Sequence, residues 1–180
     1  MRVITGSARG RKLKTPAGMD IRPTTDNVKE SIFNILQFDI EGRRVLDLFA
    51  GTGQLGIECL SRGAREVVFI DQSRDAVKII KENLKTCGLS APVLQQDSTA
   101  YLNGCGKFDL ILVDPPYDAG LYETVLEKIN SFDILSDGGI ILCESRRETP
   151  MPALRAPYAL RKEYRYGRVK LSLYSKESRA

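Results

Sequence analysis

The sequence predicts an α/β fold, with a central, mostly parallel sheet, helices on both of its faces and a C-terminal antiparallel hairpin. Three observations predict it. From residue 44 onward, short Val/Ile/Leu runs alternate with segments of helical periodicity, the pattern of strands buried on both faces. A glycine-punctuated loop follows the first such run, as in nucleotide-binding sheets. The C-terminal segment carries two strand-like runs, 158–164 and 168–175, joined near Gly167.

The elements follow in chain order. Val3, Ile4 and Leu13 lie in a basic, glycine-containing stretch that reads as a small hairpin. Pro23 and the cap-competent Thr25, Asp26 and Asn27 lead into a helix with Val28, Ile32, Ile35 and Leu36 on one face. Residues 44–49 are a strand, 54–62 a helix and 66–71 a strand. Val77, Ile80 and Leu84 then share a helical face behind Ser73, a candidate N-cap. Residues 92–96 and 108–114 are strands, 120–130 is a helix carrying Leu121, Val125 and Ile129, and 138–145 is a further strand. The expected division is a basic extension over 1–25 and one catalytic domain over 26–180.

Bulk properties narrow the function. At 180 residues and 42% apolar content the chain has enough material for one core. No apolar run approaches a membrane span and no secretory leader opens the chain, so a soluble, cytoplasmic protein is expected. The chain has no histidine, and its four cysteines form no C-x-x-C pair. Zinc of the ordinary kind is excluded, as is catalysis by a histidine base, and no metal is expected. The net charge of +4 is unevenly spread: +3 over 1–43, −6 over 44–144 and +7 over 145–180. An acidic centre between basic ends suggests flanks that meet an anionic polymer.

Two motifs carry the chemistry. Gly51, Gly53 and Gly56 form G-x-G-x-x-G between strand and helix, and Asp71 ends the next strand at the spacing of a ribose-binding acid. Asp47, Asp97 and Asp114 also end strands and should converge on the carboxyl edge of the sheet. Several carboxylates around one crevice suit a cationic ligand such as S-adenosylmethionine better than a pyrophosphate. The literal glycine match leaves a nicotinamide dinucleotide oxidoreductase open.

The second motif is Asp114-Pro115-Pro116-Tyr117 behind an apolar strand. An exocyclic base amine is a poor nucleophile because its lone pair is delocalised. Acceptors on both N–H bonds, the Asp114 carboxylate and the Pro115 carbonyl, favour a pyramidal nitrogen aimed at an activated methyl. Pro115 and Pro116 stiffen the turn and add no N–H donors, and Tyr117 can stack on the base. Guanine N2 and adenine N6, the latter in DNA, both suit this box.

The segments RGRKLKTP, RPTTDNVKESIFNIL, VLDLFAGTGQLGIECLSRGA, FDLILVDPPY and YGRVKLSLY together resemble the bacterial 16S ribosomal RNA guanine-N2 methyltransferases of the RsmD type, over nearly the whole chain. The resemblance implies a Rossmann-like class I S-adenosylmethionine-dependent methyltransferase. It also implies that the protein methylates the guanine at position 966 of 16S RNA within small-subunit particles, and a monomer is expected. It places Asp47, Gly51, Gly53, Asp71, Gln72, Asp97, Ser98 and Asp114 around the donor, and Asp114, Pro115, Pro116 and Tyr117 at the target base. Arg2, Arg9, Arg11, Lys12, Lys14 and Arg22 are the expected RNA contacts. Two positions depart from the family pattern: Asp71 stands where glutamate is commoner, and Gln54 where a small residue is commoner.

Overall fold

The expected strands assemble into one seven-stranded sheet of order β3-β2-β1-β4-β5-β7-β6 in a computed structural model that describes residues 1–16 and 23–177, leaving aside the side chains of 23–25 and 118. The strands are β1 (Arg44–Leu48), β2 (Glu66–Asp71), β3 (Val93–Gln95), β4 (Phe108–Val113), β5 (Leu135–Arg146), β6 (Tyr158–Tyr166) and β7 (Val169–Lys176). The pairs β1–β2, β1–β4, β2–β3 and β4–β5 are parallel, while β7 runs antiparallel to both β5 and β6. Strand order reverses between β1 and β4, which opens a crevice beyond their carboxyl ends.

Helices cover both faces because successive residues of each strand point to opposite sides. Val45, Val67, Phe69, Leu110 and Leu112 pack with residues of α1 (Pro23–Ile35), α2 (Gln54–Ser61) and α3 (Arg74–Cys87). Leu46, Leu48, Val68, Ile70, Ile111 and Val113 pack with α5 (Tyr122–Ser131), beside the four-residue α4 (Ser98–Tyr101). Ser73 caps α3 as expected, its side chain accepting from Ala76 N. No helix among the described residues is long and apolar enough to cross a membrane.

The N-terminal region corrects two expectations. Helix α1 begins at Pro23, which stands in its first turn where a missing N–H costs nothing, rather than behind Thr25, Asp26 and Asn27. The expected boundary at residue 25 therefore falls inside a helix. The arm of residues 1–16 is bridged between Arg2 and Lys12, and it buries Val3, Ala8 and Leu13 in the same cluster as α1 and α2. It is a docked arm, and the side chains of α2 dock it. Glu58 is wholly buried and accepts from Ile4 N at 2.8 Å and Thr5 N at 2.9 Å, while Ser61 Oγ accepts from Ala8 N at 2.9 Å. Lys29 Nζ, 3.2 Å from Glu58, donates to Arg2 O at 3.0 Å.

Candidate active site

The glycine loop takes its shape from backbone conformations that residues with a Cβ rarely adopt. Gly51 and Gly53 have φ of 57° and 76°, and Gly53 caps the start of α2. A Cβ on Gly53 would sit 3.1 Å from Ile80 Cγ2, so the loop lies close against α3. Phe49, just past β1, is also left-handed at φ 59°, a strained turn of the kind that clusters at functional sites.

Carboxylates hold this loop from beneath. Asp47, 2% exposed, accepts from Gly56 N at 2.9 Å. Burial pushes its carboxyl up to about 7, the Gly56 hydrogen bond opposes the rise, and Asp71 adds to it. Asp71 accepts from Gly51 N and from Ser73 N, both at 2.8 Å and one on each oxygen. Each oxygen keeps a further lone-pair site. The shorter acid at this position thus reaches back to brace the loop, and it can still receive a ribose hydroxyl.

The remaining residues expected around the donor divide. Asp97 is exposed and caps α4, its Oδ1 accepting from Thr99 Oγ1 at 2.6 Å and Ala100 N at 2.8 Å. Those bonds, Thr99 first, hold its carboxyl below the ordinary range. Gln72 is exposed beside Asp71, and its main-chain oxygen accepts from Gln95 Nε2 at 3.4 Å. Ser98 is buried, and its hydroxyl accepts from Phe49 N at 3.4 Å, so its side chain serves the turn at the end of β1. Gln54 Oε1 is buried without a hydrogen-bond partner at the start of α2.

Across the reversal point, β4 delivers Asp114-Pro115-Pro116-Tyr117 to the same edge. Asp114 follows Val113, whose partner on β5 is Cys143, so Asp114 stands beside Glu144. Burial, then Glu144, then Asp47 raise the Asp114 carboxyl well above its ordinary range. Pro115 is buried and Pro116 exposed, and Tyr117, 37% exposed, opens a 3-10 turn over Tyr117–Ala119. The Tyr117 hydroxyl donates to Glu144 Oε1 at 3.0 Å, and the Arg146 guanidinium lies over its ring, 5.6 Å from the centroid. Sequence reasoning missed Glu144 and Arg146; the signal was the polar end of the β5 run, whose neighbour in the sheet it does not reveal.

The basic residues fall in two places. Arg2, Arg9, Arg11, Lys12 and Lys14 are all exposed on the arm. Thr5, Ser7 and Ala8 of the arm bond to Ser61, the last residue of α2, and so lie toward the amino ends of the strands. Arg9 and Arg11 are next along. Lys14 is nearer the loop, its N and O bonded to Asn83, which also donates to Thr52 O at 2.9 Å. Arg22 lies outside the described residues. Closer to Asp114, the end of β5 and the β6–β7 turn expose Arg146, Arg147 and Arg168, with Arg147 N donating to Arg168 O at 2.9 Å. These rim arginines had been visible only as a sum of charge.

The donor chemistry fits a cation. A pyrophosphate on the loop would lie against the Asp71 carboxylate with the buried acid Asp47 beneath it, whereas a sulfonium and an ammonium are attracted by Asp71 and favour the ionised form of Asp47. Exposed carboxylate lone pairs also suit ribose hydroxyls and an adenine amine.

Comparison with known proteins places this geometry. Residues 1–175 match the family described as "Conserved hypothetical protein 95". Ribosomal RNA small subunit methyltransferase D of Escherichia coli (strain K12) is 36% identical over 180 residues, covering 99% of this chain and 91% of that protein. YlbH of Bacillus subtilis (strain 168) is 41% identical over 182 residues, covering 98% and 99%. The solved structure of yhhF from Escherichia coli has a TM-score of 0.89 at 36% identity, covering 99% of both chains. The fold alone is shared with the Thermus thermophilus 16S rRNA N2 G1207 methyltransferase RsmC, solved with AdoMet and guanosine. That likeness has a TM-score of 0.71 at 22% identity and covers 90% of this chain and 44% of that one.

Proposed function

Because the chain belongs to the conserved hypothetical protein 95 family, that of the ribosomal RNA small subunit methyltransferases D, we propose that it methylates the exocyclic N2 amine of a guanine in 16S ribosomal RNA. The donor is S-adenosylmethionine, and the substrate is the RNA within small-subunit particles. The observation that carries the reading is the juxtaposition of Asp114 and Pro115, at the end of β4, with the glycine loop at the end of β1 across the strand-order reversal.

S-adenosylmethionine supplies an electrophilic methyl on a sulfonium. Gly51 and Gly53 would leave room for its methionine portion, Asp71 would bind the ribose, and Asp97 and Gln72 would flank the adenine. The Ser98 hydroxyl is buried against Phe49 N, so its main chain would be the part nearer that task. Asp114 and the Pro115 carbonyl would accept the two amine N–H bonds and turn the nitrogen lone pair toward the methyl. The N–C bond would form as the S–C bond breaks to leave a neutral thioether, and the methylated amine would then release one proton to Asp114 or water. Pro116 stiffens the turn, and Tyr117 stacks on the base for about 1–3 kcal/mol. Positioning is the larger effect, since aligned reactants lower a barrier by about 7–11 kcal/mol. No covalent enzyme intermediate is required, in keeping with a chain that lacks histidine.

RNA contact is divided between the arm and the rim. Arg146, Arg147 and Arg168 border the crevice and grip phosphates next to the target. Arg2, Arg9, Arg11, Lys12 and Lys14 reach RNA farther away.

The test is transfer of labelled methyl to undermethylated small subunits, followed by mass mapping of the modified nucleotide. Label on guanine N2 is expected, and no label on RNA rejects the reading. Asp114→Ala should lower transfer on the order of a hundredfold to a thousandfold while donor affinity and melting temperature hold.

A further inference from the structure

Glu144 is a second carboxylate at the target end of the crevice, and methyl transfer as derived above leaves it without a task. Val113 and Cys143 are partners on parallel β4 and β5, so the next residues, Asp114 and Glu144, project side by side on the same face of the sheet. Glu144 is tied in place twice. Its main-chain oxygen accepts from the Tyr122 hydroxyl at 2.6 Å, and its Oε1 accepts from the Tyr117 hydroxyl at 3.0 Å. The carboxylate is thereby held at the hydroxyl end of the ring that would stack on the base. Tyr117 engages one of its two oxygens.

A base seated with its amine on Asp114 and Pro115 presents the neighbouring ring position to that carboxylate. Guanine flanks its N2 amine with N1–H, a donor, on one side and N3, an acceptor, on the other, and a carboxylate suits only the N1–H side. In adenine the neighbour of the N6 amine is a bare N1, an acceptor. We infer that Glu144 is a specificity-determining residue that accepts the N1–H of the target guanine and opposes purines with an unprotonated N1. The inference rests on the guanine-N2 reading and deepens it. A flipped guanine loses its partner for N1–H, and a buried donor left unpaired is costly, so an acceptor beside Asp114 completes the recognition. An adenine would set one lone pair against another. Burial raises both carboxyls, and Glu144 raises Asp114 further. A base that brings N–H donors to both acids offsets that cost, and only guanine brings three.

The experiment uses the full chain and small subunits reconstituted from transcripts that carry guanine or 2,6-diaminopurine at the methylated position. Diaminopurine keeps the 2-amine and has a bare N1. The wild-type protein is expected to favour guanine by about tenfold to a hundredfold in kcat/KM. Glu144→Gln, whose amide N–H can face a bare N1, is expected to lose that preference, with melting temperature and S-adenosylhomocysteine affinity unchanged. Equal wild-type transfer to both purines overturns the inference, as does a variant that keeps the preference. A folded, donor-binding variant inactive on both purines also overturns it, because a selecting residue is not an essential one. If the variant does not fold, the wild-type ratio decides alone. Wild-type protein that methylates neither purine refutes the guanine-N2 reading itself, and the inference falls with it.

Discussion

Asp47→Asn should make the free protein more stable in alkaline solution while weakening its hold on a cationic donor. The carboxyl of Asp47 stands at about 7 in the folded chain against an ordinary 3.8, chiefly because it is buried. A folded-state value above the unfolded one means that the native protein keeps a proton the unfolded chain has released. The associated stability is complete below about 4 and drains away as pH rises through 7. Three pH units at about 1.36 kcal/mol each amount to roughly 4 kcal/mol, of which about 2.5 is lost between pH 5 and pH 8. Asparagine cannot ionise, yet its carbonyl can still accept from Gly56 N, now 2.9 Å from Asp47 Oδ2. In urea titrations at pH 5 and pH 8, the stability of the variant relative to wild type should therefore rise by about 2.5 kcal/mol. A relative change under about 1 kcal/mol would show that Asp47 does not carry a displaced proton. Calorimetry with S-adenosylmethionine at pH 8 should show weaker binding to the variant, because a negative charge beneath the glycine loop is gone.

Three other outcomes are expected. Glu58→Ala leaves Lys29, 2% exposed, without its carboxylate and frees the amides of Ile4 and Thr5, so urea unfolding should report a loss of about 3–5 kcal/mol. Hydrogen exchange at those two amides should accelerate. Tyr117→Ala should raise KM for particles by roughly fivefold to a hundredfold as stacking is lost, whereas Tyr117→Phe keeps the ring, loses the bond to Glu144 and should show the smaller rise in steady-state assays. Paired Arg147→Ala and Arg168→Ala should reduce the salt dependence of RNA binding by about one ion per arginine and slow transfer, while Arg9→Ala should weaken binding and leave kcat intact; filter binding across a salt series with parallel rate measurements separates the two.

Much of the architecture could be read from the chain because strands buried on both faces leave an unmistakable composition. Residues 66–71 became β2, and the helical face of Val77, Ile80 and Leu84 became α3, with Ser73 as the cap. The acids that end strands were also legible, since a carboxylate closing an apolar run has only the sheet edge to occupy. Glu144 was not legible in the same way. It lies within β5, two residues before the end of that strand, and its significance comes from the β4–β5 pairing, which is remote in sequence. Glu58 was hidden for a similar reason: a charge between Ile57 and Cys59 marks the buried side of α2, but only the folded arm supplies its amide partners. The sequence Asp97-Ser98-Thr99-Ala100 does carry a helix-cap signal, which a four-residue helix is too short to announce through periodicity.

The way the arm is latched has a consequence for how such proteins diversify. Glu58 and Ser61 grasp main-chain amides of residues 4, 5 and 8, groups that every non-proline residue possesses. The outward side chains of Arg2, Arg9, Arg11 and Lys12 therefore contribute little to attachment. Selection is free to redraw that charged surface for a different partner without reworking the chassis that carries it.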